Sequence, residues 1–400
     1  MKKKSVYKIF VLTDVFEPNN FGGAEVYLYN LIKTLSKKNN VSCYLVCRTN
    51  NRKFLKKLNI NFSLIPTFKN EVFFIFYLLV SLITINLLFI FRNFDLILIN
   101  HPFSALYALL ASNKKKILIF HSPWCFEYTY RKDITVNYEA RCSKTYNSKS
   151  VGFYIRLFIE QFVYRDSLYI ITLSNYMKKI CKKLFKTKAC IYVIPPFIDI
   201  EEFNITDDKK TLREKLKIPQ DKTVFFTARA LIPRTGIDVL INSISIIRDK
   251  IRDCIIYISG GGDYRKHYMN LVAKLALQKY IRFLGFLDRE TLIKYFYAAD
   301  CFLLPSWKLE GFGLVIPEAL YTNLPIIATP QGAISELLKN IPHCLISKDR
   351  TPESFAQEIL KFIQRKSYWS GIDTRNYYLT NYHNPERVIE KIMSITGYSQ

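Results

Sequence analysis

Glu310 and Glu318 stand on one short stretch, Glu310-Gly311-Phe312-Gly313-Leu314-Val315-Ile316-Pro317-Glu318, with seven residues between them. Two carboxylates so spaced can be solvated groups on a loop and a helix. They can also accept hydrogen bonds from the hydroxyls of a bound polyol. The residues upstream bear on the choice. Leu303-Leu304-Pro305-Ser306 has the pattern of a buried strand's end, which puts Glu310 on the loop at that strand's carboxyl end. Open α/β sheets bind their ligands there. Gly311 and Gly313 allow close approach of the backbone to a ligand. The helix expected after Leu314 would present free N–H groups suited to phosphate, and Glu318 inside it could receive hydroxyls such as those of a ribose.

This stretch resembles the E-x7-E signature of family 4 glycosyltransferases, retaining enzymes of the GT-B fold. The resemblance implies an α/β chain of two Rossmann-like domains, each a doubly wound parallel sheet, facing a cleft. It implies that Glu310 contacts donor-sugar hydroxyls, while Gly313, Leu314 and Glu318 contribute to donor binding, Glu318 by holding the ribose. Phe21-Gly22-Gly23-Ala24-Glu25 resembles the G-G-A-E stretch after the family's first strand, so Gly22 and Gly23 are expected against the donor phosphate. His121 opens His121-Ser122-Pro123-Trp124 at the end of an expected strand. A lone histidine is more often structural; the resemblance implies that this one touches the donor sugar near its anomeric carbon and serves catalysis with Glu310. Arg229-Ala230-Leu231-Ile232-Pro233-Arg234-Thr235-Gly236 lies where the family shows G-R-L-x-x-x-K-G. Ala230 and Thr235 occupy the Arg and Lys positions, and Arg229 and Arg234 each lie one residue earlier. On a strand end such a shift turns a side chain to the opposite face. Both arginines are expected on the donor diphosphate, with Arg234 better placed to reach it.

No D-x-D pair occurs in the chain, so no metal is expected, and no cofactor either. Arginines and helix N-termini would neutralise the leaving diphosphate.

The elements that must position these residues alternate as a doubly wound fold requires. Strands are expected at 8–13, 41–47, 60–66, 95–100, 116–120 and 167–174, then at 223–228, 255–259, 281–285 and 324–329. Helices are expected at 26–38, 153–164, 176–185, 237–249, 264–278, 289–299 and 385–394. Residues 125–150 show no periodicity and are expected as an acceptor-side loop. Pro195-Pro196-Phe197-Ile198-Asp199 resembles the family's interdomain linker. The domains expected are therefore 1–196 on the acceptor side, 197–372 for the donor, and a segment at 373–400 whose helix crosses back to the first domain.

Four hundred residues suit two cores better than one. The nine cysteines are scattered without metal-ligand spacing, which argues against zinc or a disulfide framework and for a reducing compartment. The net charge of +25 is uneven: residues 1–200 carry 30 Lys and Arg against 11 Asp and Glu, residues 201–400 carry 28 against 22. A basic half suits an anionic partner: a membrane surface, nucleic acid or an acidic acceptor. Without a nucleic-acid-binding motif, a membrane surface is the expected one and nucleic acid is not. Val72–Phe91 is uncharged over twenty residues. One crossing there would divide the first sheet between two sides of the membrane, so the segment is expected either in the core or lying in the interfacial plane. Helix 176–185 and the residues after it bring six lysines to the same half.

Together these readings describe a cytoplasmic-face, peripheral transferase that moves a sugar from a nucleoside diphosphate sugar to a lipid-linked or glycan acceptor. Two other functions fit the same fold: a nucleotide-sugar epimerase, for which five histidines are few, and a non-catalytic relative that binds glycan or membrane.

Overall fold

The structure is a computed structural model. It describes the chain apart from residues 1–5, 17–21, 39, 50, 52–54, 57, 59, 65–79, 86, 89–92, 112–114, 131–150, 166, 342, 366–368, 370–372 and 398–400. The chain divides into two units: residues 1–125, 148–197 and 384–400 form the first, and 126–147 with 198–383 the second.

The first unit is built on seven parallel strands: β1 (Tyr7–Val15), β2 (Val41–Arg48), β3 (Asn61–Leu64), β4 (Leu96–Ile99), β5 (Lys116–Phe120), β6 (Tyr169–Thr172) and β7 (Cys190–Val193). Their order in the sheet is β3-β2-β1-β4-β5-β6-β7. Both faces of the sheet are covered, so the central strands are apolar throughout; Leu96–Ile99 is buried at all four residues. The connections are α1 (Gly23–Ser36), α2 (Pro102–Ala111), α3 (Trp124–Tyr130), whose residues from Phe126 on are grouped with the second unit, α4 (Val151–Arg165) and α5 (Asn175–Phe185). Strand order reverses between β1 and β4, so right-handed crossovers put α1 on one face and α2, α4 and α5 on the other.

Two local corrections concern expected site segments. α1 starts at Gly23 and not at Val26, because Gly22 is its N-cap and Ala24 and Glu25 suit a first turn. The expected glycine loop is thus reduced to Gly22 among the described residues. The expected loop 125–150 begins inside α3; the rest of it, from 131 on, lies outside the described residues. Of the apolar segment 72–91, residues 80–85 are helical, and 72–79, 86 and 89–91 lie outside the described residues. No helix among the described residues is long and apolar enough to cross a membrane.

The second unit has six parallel strands, β8 (Thr223–Ala228), β9 (Cys254–Ser259), β10 (Ile281–Gly285), β11 (Cys301–Leu304), β12 (Ile326–Ala328) and β13 (Cys344–Ile346), in the order β10-β9-β8-β11-β12-β13. The helices are α6 (Lys209–Lys215), α7 (Ile237–Ile247), α8 (Arg265–Lys274), α9 (Arg289–Ala298), α10 (Val315–Tyr321), α11 (Ile334–Leu338), α12 (Pro352–Gln364) and α13 (Thr374–Asn381). α12 shows how the sequence sets such an element. Thr351 caps it by accepting from the Ser354 N–H, and Pro352 occupies the first turn, where its missing donor costs nothing. Phe355, Ile359 and Phe362, at i, i+4 and i+7, enter the core with Ile241, Ile244 and Ile256. The last helix, α14 (Pro385–Ser394), belongs to the first unit and packs on α1.

Candidate functional site

In the second sheet the strand order reverses between β8 and β11. Ligands of open α/β sheets bind at the carboxyl ends of strands at such a switch point. Arg229 follows β8 directly, and Ser306 and Glu310 follow β11. The structure brings them together. Arg229 Nη2 donates to Glu310 Oε2 at 2.6 Å and to Ser306 Oγ at 2.9 Å. The Ser306 hydroxyl donates to the same carboxylate oxygen at 2.7 Å. Both charged side chains are buried, with 7% and 9% exposure. Burial on its own raises the Glu310 carboxyl; the guanidiniums of Arg229 and Arg234 and the Ser306 hydroxyl overcome it and hold the group below the usual carboxylate range. Glu310 is therefore ionised and fixed by one oxygen. Its Oε1 makes no hydrogen bond among the described residues.

Backbone geometry keeps that second oxygen clear. Gly313 has φ +74°, and a Cβ there would stand 3.3 Å from Glu310 Oε1. Gly332 has φ +65°, and a Cβ there would stand 2.2 Å from the Glu310 carbonyl oxygen. The turn around Gly332 is pinned to the loop by the Ala333 N–H, which donates to that carbonyl at 3.0 Å. Leu309 is left-handed at φ +50°, a strain of about 1 kcal/mol for a non-glycine residue, immediately before the carboxylate it helps aim.

Glu318 is 4% exposed on α10, whose first residue follows Leu314. Its Oε1 accepts from Arg289 Nη1 at 2.5 Å, and Arg289 Nε donates to Glu202 Oε2 at 2.8 Å. The Arg289 guanidinium also lies over the Phe203 ring, 5.1 Å from its centroid. The pattern at Glu310 recurs: an arginine holds one carboxylate oxygen and leaves the other without a partner among the described residues. Sequence reasoning missed Arg289, Glu202 and Ser306.

The shifted basic pair is now placed. Thr235, at the expected lysine position, is buried, and its hydroxyl bonds the carbonyls of Ala230 and Ile232 at 2.7 Å. It shapes the turn and presents nothing to a ligand. Ala230, at the expected arginine position, is exposed. Arg234 Nη1 reaches the Leu309 carbonyl at 3.3 Å, so its charge lies beside the Glu310 loop. Arg229 faces Glu310, and its Nη1 and Nε make no hydrogen bond among the described residues.

In the first unit His121 follows β5 directly, and its Nε2 meets Asn100 Oδ1, just past β4, at 2.8 Å. Its ring packs edge-on against Tyr27 at 5.6 Å. Burial, with His101 nearby, pushes its pKa down to about 3, so the imidazole is neutral at pH 7. With Asn100 accepting, Nε2 carries the proton and Nδ1 is left a bare acceptor. Nδ1 is buried and unpartnered among the described residues. Gly22 caps α1, and Gly23, Ala24 and Glu25 form its first turn, whose N–H groups have no partner within the helix. The Glu25 carboxylate leans over Gly22, 2.9 Å from where a Cβ would stand. No group of three or more potential metal ligands occurs among the described residues.

Known proteins resemble both units. Residues 21–202 match the family described as Glycosyltransferase Family 4, and residues 208–378 match Glycosyl transferases group 1. A GDP-mannose-dependent alpha-(1-6)-phosphatidylinositol monomannoside mannosyltransferase of Mycobacterium tuberculosis is 24% identical over 197 residues, 48% of this chain and 51% of that protein. The chain spans about half the length of the curated relatives it matches. Sucrose-phosphate synthase from Thermosynechococcus elongatus superposes with a TM-score of 0.77 at 17% identity, covering 97% of this chain and 98% of that one. Anabaena HepE in complex with UDP and glucose gives 0.74 at 16% identity, covering 98% and 99%. At these identities the structural likeness is one of fold, and the fold is GT-B, as expected.

Proposed function

The chain belongs to the family 4 glycosyltransferases, and from that membership we propose that it moves a hexosyl group from a UDP- or GDP-linked sugar to a lipid-linked or glycan acceptor, with retention at the anomeric carbon. The observation that carries the reading is the pair of buried glutamates at and just beyond the switch point, each fixed by an arginine through one oxygen. The remaining oxygens are the acceptors that sugar and ribose hydroxyls need. The relative named as GDP-mannose-dependent and the neighbour holding UDP and glucose agree with such a donor.

The sugar passes through an oxocarbenium-like state, as in glycoside cleavage. Negative charge then grows on the leaving diphosphate. Arg234 and the free donors of Arg229 stabilise it there without a metal, and the diphosphate takes the acceptor's proton. Glu310 orients the sugar, Glu318 the ribose, and Gly22, Gly23, Gly313 and Leu314 line the donor. His121, neutral and with Nδ1 bare, receives a sugar hydroxyl. The basic first half and the free thiols among the described residues suit a peripheral enzyme on the cytoplasmic face of a membrane.

Steady-state kinetics test this assignment. Glu310→Gln should lower turnover about a hundredfold. Glu318→Gln should raise the donor KM about tenfold with less change in kcat. Wild-type turnover in both variants would refute the assignment.

A further inference from the structure

α4 is apolar on two opposite faces. Phe153, Leu157, Val163 and Tyr164 are buried. On the other side Val151, Ile155, Phe158 and Phe162 are 73%, 54%, 70% and 45% exposed. Their spacing of i, i+4, i+7 and i+11 makes one stripe along the helix, about 17 Å long at the usual rise. A helix apolar all round is ordinarily buried, and a contiguous bare patch marks a contact surface.

The neighbouring helix identifies the contact. α5 packs against α4 on the same face of the sheet. Its inner side, Met177, Ile180, Cys181, Leu184 and Phe185, is buried. Its outer side presents Lys179, Lys182 and Lys183, with Lys186 and Lys188 just beyond, all exposed. No acidic residue occurs from Asn175 to Lys188 to offset them. A protein partner would have to match an apolar strip flanked by uninterrupted positive charge. An anionic bilayer supplies both surfaces at once: acyl chains below the headgroups, and phosphates at their level.

We propose that the outer face of α4 and α5 docks the first unit on an anionic lipid surface. The stripe of Val151, Ile155, Phe158 and Phe162 enters the interface, and the α5 lysines lie against lipid phosphates. The inference deepens the lipid-linked-acceptor reading. Its test measures lipid binding without turnover, so either can fail alone.

The full chain is co-sedimented with unilamellar vesicles of phosphatidylcholine, with and without phosphatidylglycerol. Binding to the anionic vesicles is expected, weakened by raised salt. An Ile155→Ser/Phe158→Ser variant should lose at least about tenfold in vesicle affinity. A Lys182→Gln/Lys183→Gln variant should lose the preference for anionic lipid. Circular dichroism and nucleotide titration verify that each variant is folded. Three results would overturn the proposal: no binding of the wild-type chain to anionic vesicles, unchanged binding by the serine variant, or a wild-type dimer that the serine substitutions dissociate, which would give the stripe to a second copy of the chain.

Discussion

Arg289 carries the orientation of Glu318, because it holds that carboxylate at one oxygen while Glu202 steadies the guanidinium from the other side. The two carboxylates together hold its pKa above the ordinary arginine value against the opposing effect of burial. Arg289→Ala should therefore weaken donor binding about tenfold and leave kcat less affected; Arg289→Lys should recover part of it, since a lysine keeps the charge without the two-sided fork. Isothermal titration with the nucleoside diphosphate checks this, and equal affinity in all three proteins would contradict it. Glu310, Glu318 and His121 could be picked out because their types, spacing and strand-end positions are local properties. Arg289 could not, because its partner lies 29 residues away along the chain and its local setting is that of an ordinary first-turn residue behind the Asp288 cap. The basic pair had a visible departure from the family pattern but no visible outcome. Only folded geometry shows Thr235 turned onto the carbonyls of Ala230 and Ile232 and Arg229 turned onto Glu310.

Between elements, the second unit relies on a comparable buried pair. Arg213 on α6 donates from Nε to the Ala298 carbonyl at 2.9 Å and from Nη2 to Asp300 Oδ2 at 2.7 Å. Asp300 also accepts from the Val224 N–H at 2.8 Å, so one ion pair ties α6 to the starts of β8 and β11. Arg213→Ala leaves the partly buried Asp300 carboxylate with Lys209 as its remaining counter-charge among the described residues and takes the donor from the Ala298 carbonyl, and should cost about 2 kcal/mol in chemical denaturation; a loss below about 1 kcal/mol, the range of exposed pairs, would contradict this. The pH dependence follows from Asp300. Burial alone raises its pKa, but Lys209, the Val224 N–H and Arg213 overcome that and hold it below the usual value. The pair's stabilisation is therefore complete above the ordinary aspartate value of about 3.9 and is lost as pH falls through the lower folded value. At this scale the sequence was most legible where a continuous apolar run or a strong cap marks the bounds: β5 at 116–120, β8 at 223–228 and α14 at 385–394 begin and end where expected. It failed at α3, whose seven residues are too few to show a helical period. Its cap is also non-local: the Glu160 carboxylate on α4 accepts from the Trp124 and Cys125 N–H groups at 2.8 and 2.9 Å. The strand expected at 167–174 ends at Thr172, because Ser174 instead caps α5.

For the whole molecule, the two sheets follow one plan. Each sheet reverses strand order next to its first strand, and each brings candidate ligand groups to strand ends near that point: Arg229, Ser306 and Glu310 in the second unit, Asn100 and His121 in the first. The surplus positive charge of the first half includes the lysines of α5 beside the bare stripe of α4. The central claim is that the second unit binds a nucleoside diphosphate sugar through Glu310, Glu318 and the arginines around them. The most direct test is calorimetric titration of the folded chain with UDP- and GDP-sugars and the free diphosphates, repeated with Arg234→Ala and Glu318→Gln. The account predicts that one nucleotide series binds and that each substitution weakens it about tenfold or more. No binding of any donor by the folded wild-type chain, or binding that both substitutions leave unchanged, would contradict it.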